Sequence, residues 1–261
     1  MRGTQSQPIS SPDGRTGTSR ASGHLAQEAY ARLKALIFTS RILPGDRLLH
    51  RVLAEELGMS STPIREAMGR LVQEGYIRHV PNVGYSMPEM DAEEAEQLFE
   101  AREALETHIA ALAATRMKPE DIHLVEQAAL AFRRAIGRRP RKARVLLDME
   151  FHLTIARLAR NRFLLQALEP ILHQIAAKRN VENIPARAGG QQADQAHYRI
   201  LTALRQRAAE ATREAMRDHI RQSRLTIVHQ LQERAQTEAA RRQRRRLGSP
   251  LRGFDRGGKR T

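Results

Sequence analysis

The chain has 261 residues, room for one large or two ordinary domains, and 44 Lys and Arg against 29 Asp and Glu give it a formal charge of +15. That surplus favours a polyanionic partner, although ten of the basic residues face only three acids from Gln232 onward, so nearly half of the excess belongs to the C-terminal end. With no cysteine, disulfides and cysteine-ligated zinc are excluded; no apolar run reaches the roughly 20 residues that span a bilayer and no secretory signal opens the chain, so a soluble cytoplasmic protein with no membrane partner is expected.

Residues 1–22 are rich in Ser, Gly, Thr and Pro and nearly free of large apolar side chains, which predicts a disordered tail. From His24 to Arg41, Leu25, Ala29, Leu33, Leu36 and Ile37 recur at helical spacing. Leu43-Pro44-Gly45-Asp46 then ends that helix in a turn. The stretch from Leu53 to Met68 reads as two short helices joined at Gly58, where the backbone needs a left-handed conformation. Ala54 lets the helices cross closely, and Ile64 drops back into the core. In the second helix Ile64, Ala67, Met68, Leu71 and Val72 form one stripe, leaving Ser61, Thr62, Arg65, Gly69 and Gln73 to face outward. Pro63 falls in the first turn, where its missing N–H costs little. This is the spacing of a helix-turn-helix, which lays its second helix into a DNA major groove. A helical hairpin inside a core is the competing reading; the exposed Arg65 and the segment that follows weigh against it.

Gly75 stops the helix. Residues 76–80 and 84–87 predict short strands about the turn Pro81-Asn82-Val83-Gly84. A hairpin directly after a recognition helix is a wing, and its tip, Gly84 included, can touch the minor groove or the backbone. A winged helix-turn-helix domain is therefore expected over residues 23–88. Beyond Pro88 the pattern is helical, with helices expected near 91–116, 119–136, 141–160, 163–180, 193–206 and 209–235. Lys118-Pro119, Gly137, Asn161 and residues 185–190 supply the stops. Such a set of helices can enclose a bundle core or a small-molecule pocket. Residues 236–261 combine an arginine run with Gly and Pro and are expected to form a basic, disordered tail. It is either a solvated end or a source of non-specific phosphate contacts.

Asp148 and His152 are four residues apart and so share a helix face. His197 and His219 lie in two later helices. One carboxylate and three imidazoles make an N/O donor set for Zn²⁺, Ni²⁺ or Mn²⁺ with open positions for water or a ligand. An Asp/His pair at this spacing is usually a surface hydrogen bond, and single helical histidines are usually just polar. Arg102 and Glu106 form a second pair of the same spacing. Arg102 can reach inward to hold a ligand carboxylate through a forked hydrogen bond, or the two can form an intrahelical ion pair contributing roughly 0.2–0.5 kcal/mol.

These pieces in this order resemble the GntR family of bacterial transcription regulators, in its FadR-like branch with an all-helical effector-binding (FCD) domain, over roughly residues 26–232. The resemblance rests on Leu43-Pro44-Gly45-Asp46, Leu53 through Ser60, Thr62 through Ala67 and Arg70-Leu71. In the second half it rests on Arg102 with Leu105-Glu106, Asp148 with Phe151-His152, Asn161, His197, and Met216 through His219. It implies a mainly α protein, with an N-terminal winged helix-turn-helix and a C-terminal all-helical FCD bundle over residues 91–235. It further implies a homodimer that binds double-stranded operator DNA and senses a small organic acid. Asp148, His152, His197 and His219 match the residues that hold a divalent ion in metal-binding members; zinc is expected, with nickel or manganese as alternatives. Arg102 matches an arginine that engages the effector's carboxylate, and Asn161 a second pocket residue. For DNA, Arg51 and Arg65 match contact residues, and Ser60 and Thr62 match positions that touch the backbone. Two departures stand out. Ser61 occupies the place of a base-reading arginine, and Val83 that of a basic wing tip. An arginine forked onto guanine contributes roughly 1–3 kcal/mol of discrimination, so the operator is altered, binding is weaker, or neighbours such as Arg78 and His79 compensate.

The expected function is a ligand-responsive transcription regulator, a repressor and not an enzyme. Two other readings compete. One is a metal-dependent hydrolase or lyase fused to a DNA-binding module, with Glu150 or Glu106 as general base. The other is an architectural DNA-binding protein driven by the basic end, insensitive to small molecules.

Overall fold

The computed structural model describes residues 16–179 and 189–247. These divide into two units, one of residues 16–89 with 176–179, the other of residues 90–175 with 189–247.

The first unit is built on α1 (Thr16–Phe38), α2 (His50–Leu57) and α3 (Ser61–Gln73). Ala29, Leu33 and Ile37 of α1 share one buried core with Leu53 and Ala54 of α2 and Ile64, Ala67, Met68 and Leu71 of α3. Each large side chain there contributes about 1.5–3 kcal/mol by leaving water. Gly58 caps α2 in the left-handed conformation, φ 64° and ψ 32°, as the turn requires. On the outer side of α3, Arg70 lies over the Tyr30 ring with 3.8 Å to its centroid and donates to Glu74 at 2.9 Å and Gln27 at 2.7 Å. The Tyr30 hydroxyl donates to Glu74 at 2.5 Å. This cluster ties the recognition helix to α1.

Three strands complete the unit: β1 (Arg47–Leu48), β2 (Arg78–Val80) and β3 (Gly84–Ser86), in the order β1-β3-β2 with both pairings antiparallel. Arg47 and Arg78 both oppose Ser86, and Val80 opposes Gly84. Gly84 has φ 110° and Asn82 φ 60°, so the turn between β2 and β3 is left-handed at two of its residues. The wing is thus shorter than the sequence suggests and gains a strand. β1 is too short to show a period-two pattern, and its pairing with β3 makes it a strand.

Helix α1 also starts earlier than expected. Residues 16–22 are helical, not disordered, because extending an existing helix costs far less than starting one. Residues 1–15 of the expected tail lie outside the described residues.

In the second unit α4 (Ala92–Arg116) is followed by a 3-10 turn (Pro119–Asp121), α5 (Ile122–Ala135), α6 (Arg141–Leu158), α7 (Arg162–Lys178, of which residues to 175 belong here), α8 (Gly190–Arg205) and α9 (Ala209–Leu247). Asp91 caps α4 by accepting from the Glu94 N–H at 2.8 Å, one of the helix-end donors that would otherwise be orphaned. Phe99, Ile109, Phe151, Ile155, Leu168, Ile200, Leu204 and Ile220 meet in a single buried core. Ala110, Ala113 and Ala114 are wholly buried on α4, small side chains that suit its close packing along α9. Helix α9 runs through Leu247, well past the expected end at Ala235. The tail expectation fails for residues 236–247 because Ala, Gln, Glu and Arg are strong helix formers and Arg234 Nε pairs with Glu238 one turn on at 2.9 Å. Residues 248–261 of that tail, and 185–188 of the expected stop, lie outside the described residues. No helix among the described residues is long and apolar enough to cross a membrane.

Candidate metal centre

Asp148 and His152 project from one face of α6, His197 comes from α8 and His219 from α9. One ligand atom from each lies within 4.8 Å of all the others. His152 Nε2 and His219 Nε2 are 3.1 Å apart, and His197 Nε2 is 3.2 Å from Asp148 Oδ1. Donors sharing one ion at about 2.1 Å stand roughly 3–4 Å from each other. The three histidines are at most 3% exposed, while the Asp148 side chain keeps 30% of its surface.

Charge and hydrogen bonding favour the ligating forms. Burial pushes the Asp148 carboxyl up, but the His197 contact and the three neighbouring imidazoles outweigh it and hold the group well below the usual carboxylate range. Burial lowers His197, with Asp148 opposing. Burial and then the charges of His197 and His152 push His219 well below its ordinary value. Both rings are therefore neutral near pH 7, with a lone pair to give. Among the described residues His197 Nδ1, though buried, has no hydrogen-bond partner, and Nε2 has only the Asp148 carboxylate at 3.2 Å, outside good hydrogen-bond geometry. Orphaned buried nitrogens are costly, and a cation at the shared centre would relieve them. The donor set fits a divalent ion of the zinc, nickel or manganese kind.

Around these four residues stands a second layer. Arg102 and Glu106 of α4 are buried, 3% and 1% exposed, and joined by an Arg102 Nε to Glu106 Oε1 hydrogen bond of 2.6 Å. Arg102 Nη2 also donates toward His152 Nε2 at 3.2 Å. The intrahelical ion pair that the spacing allowed is thus an interior one, and it touches the centre. Burial pushes Glu106 up, yet the charges and hydrogen bonds of Arg102 and His152 bring it below its ordinary value, so it is ionised. His197 is stacked on Phe151 at 4.0 Å between centroids and meets Phe132 of α5 edge-on at 4.7 Å. Arg144, one turn before Asp148 on α6, is also buried. Sequence reasoning named Phe151 only as part of the resemblance, without a role, and missed Phe132 and Arg144. Phe151 sits beside His152 in the chain, but nothing in the spacing brings Phe132 to His197.

Asn161 stands directly before α7. Its Oδ1 accepts from the Phe163 and Leu164 N–H groups at 3.1 and 3.2 Å, so it starts α7. No hydrogen bond among the described residues joins it to the centre.

In the first unit, Arg51 on α2, Ser60 at the N-cap of α3, and Thr62 and Arg65 on α3 are exposed. Ser61 and Gly84 are half-buried, and Val83 at the wing tip is 40% exposed. Arg78 is held by Ser86 Oγ at 3.1 Å, and the His79 ring packs edge-on against Tyr85.

Residues 25–86 match the model of the bacterial regulatory proteins of the gntR family, and residues 97–222 match the FCD domain. The chain belongs to the GntR family. An HTH-type transcriptional regulator of Agrobacterium vitis is 30% identical over 142 residues, which span 53% of this GntR chain and 83% of the relative. A protein of Escherichia coli (strain K12), named for regulating the L-lactate dehydrogenase operon, is 28% identical over 245 residues, 84% of this chain and 91% of its own. The solved structure of E. coli McbR/YncC superposes with a TM-score of 0.70 at 23% identity, covering 79% of this chain and 97% of that one, and so shares the fold. This GntR member is accordingly a mainly helical transcription regulator and not an enzyme, with a helix-turn-helix and small wing sheet at its N-terminal side and an FCD bundle after it.

Proposed function

We propose that this GntR-family regulator is a homodimeric repressor, released from operator DNA by a small organic acid bound at a divalent ion in the FCD bundle. The observation that carries this reading is the convergence of Asp148, His152, His197 and His219, from three helices, with their ligand atoms within 4.8 Å of one another. When bound, the ion supplies a fixed positive charge with open positions for an anionic oxygen. Arg102 reaches the same point and can donate to an acid held there. The relative named for an L-lactate dehydrogenase operon supports a hydroxy or carboxylic acid as the effector class.

Helices α4, α6, α8 and α9 each give a residue to this neighbourhood, so a ligand that draws on several of them favours one arrangement of the bundle. That preference would reach the DNA-binding unit through the linker at residues 87–91. It need be worth only about 1–3 kcal/mol to shift affinity, because two recognition helices must match half-sites at fixed spacing. On the DNA side α3 would enter the major groove with Arg65 and Thr62, Arg51 and Ser60 would hold the backbone, and Gly84 would bring the wing close to it.

Elemental analysis tests the centre. The wild-type chain should carry about one divalent ion, zinc, nickel or manganese, and Asp148→Ala with His197→Ala should strip it. Operator binding followed by fluorescence anisotropy across a panel of organic acids tests the response. A metal-free wild-type protein with a full effector response would refute the ion's part.

A further inference from the structure

Glu106 faces two different donors with its two oxygens. Oε1 accepts from Arg102 Nε at 2.6 Å, while Oε2 stands against His152 Nδ1. Among the described residues neither Glu106 Oε2 nor His152 Nδ1 has any other hydrogen-bonding group to turn to. An ionised carboxylate only accepts, so the ring nitrogen facing it must carry the proton. His152 Nε2 is then the lone pair, which agrees with the Arg102 Nη2 donor 3.2 Å away.

We propose that Glu106 is a positioning residue that fixes His152 in its Nδ1–H tautomer and anchors Arg102 in the same act. The ligating lone pair and the effector-binding guanidinium are thereby set at one spacing by one carboxylate. Carboxylates behind metal-ligating histidines fix tautomer and ring orientation; here the same group also holds the cation meant for the ligand. The consequence for ion binding rests on the metal-centre reading, whereas the tautomer is a property of the ion-free chain.

Glutamine separates this role from mere space-filling. Its amide has one accepting oxygen and one donating NH₂. Arg102 cannot give up its proton, so the oxygen must turn to Arg102 and the NH₂ to His152. Nδ1 must then accept, and the ring changes to the Nε2–H tautomer, with a proton where the lone pair was and the longer 3.2 Å contact to Arg102 Nη2 given up.

The experiment is side-chain ¹⁵N NMR on the histidine-labelled full chain stripped with chelator, with His152→Asn used to assign the His152 signals. The wild-type chain should show Nδ1–H at His152, and Glu106→Gln should show Nε2–H. Zinc affinity, read by competition with a chromophoric chelator, should fall about 10–100-fold in Glu106→Gln, with the helical circular dichroism unchanged. A wild-type His152 in the Nε2–H form overturns the proposal, and so does a Glu106→Gln protein with wild-type tautomer and wild-type zinc affinity. If Glu106→Gln does not fold, the wild-type spectrum alone decides. A wild-type chain that takes up no zinc defeats the metal-centre reading while leaving the tautomer result to judge Glu106.

Discussion

His152 and His219 turn their Nε2 atoms toward each other at 3.1 Å, with the two rings stacked 5.1 Å apart and inclined by 20°. Two imidazoles in this position cannot both be protonated, because two charges would then face each other away from water. With His197 and His219 both held below their ordinary values by burial, acid is the centre's natural antagonist.

Acid should unfold the ion-free chain early. His197 and His219 bind protons less readily when folded than near their ordinary value of 6.5. The unfolded chain then takes up more protons, so stability is complete above about pH 6.5 and declines as the pH falls below it. Asp148 and Glu106, both held below their ordinary values of 3.8 and 4.5, add a further loss below those points. Thermal melts of the chelator-treated protein should show Tm falling between about pH 7.5 and pH 5.5, with His219→Gln flattening the slope. A pH-independent Tm across that range would contradict the buried neutral rings.

Removing Arg102 should be costly on its own. Arg102→Leu leaves Glu106 charged, buried and without its guanidinium, a loss of about 3–5 kcal/mol in urea denaturation. Arg102→Leu with Glu106→Leu should recover part of it, since two apolar side chains replace the ion pair while His152 Nδ1 loses its acceptor. A single substitution costing under about 1 kcal/mol would mean that the pair is open to water.

Gly58→Ala isolates backbone strain. An added Cβ there meets nothing within 4 Å, but φ is 64°. The cost should be about 1–2 kcal/mol from the left-handed conformation alone, read as a lower Tm of the DNA-binding unit.

On DNA, two changes should behave differently. Arg65→Ala should lose roughly 1–3 kcal/mol on the preferred operator and flatten base preference at one position of each half-site. Deleting residues 241–261 should chiefly reduce the slope of log affinity against log salt. If the deletion instead abolishes binding and small molecules never alter it, the architectural reading replaces the regulated one. Titration of labelled duplexes at several salt concentrations distinguishes these results.

Much of the fold was legible because its signals are local. The apolar stripe of α3, the glycine of its preceding turn and the periodic helices after Pro88 all lie within a few residues of what they determine. β1 was not legible, since a two-residue strand exists only through its partner Ser86 and Tyr85. The end of α9 was misread because charge was weighed above helix propensity. In the centre, spacing put Asp148 and His152 on one face and offered His197 and His219 as donors from later helices, and the resemblance strengthened the case that the four form one set. Spacing likewise paired Arg102 with Glu106 without revealing that the pair is interior and reaches His152, a fact set by the packing of α4 against α6.

The two phenyl rings beside His197 have a mechanical meaning. Sandwiched by Phe151 and abutted by Phe132, that imidazole has little room to swing, so the inner side of the cradle is stiff before anything arrives. Asp148 is the only one of the four donors that meets solvent appreciably. An ion held there would therefore enter and leave past the carboxylate, and the speed with which a chelator removes it should be governed by that one side chain and not by the histidines behind it.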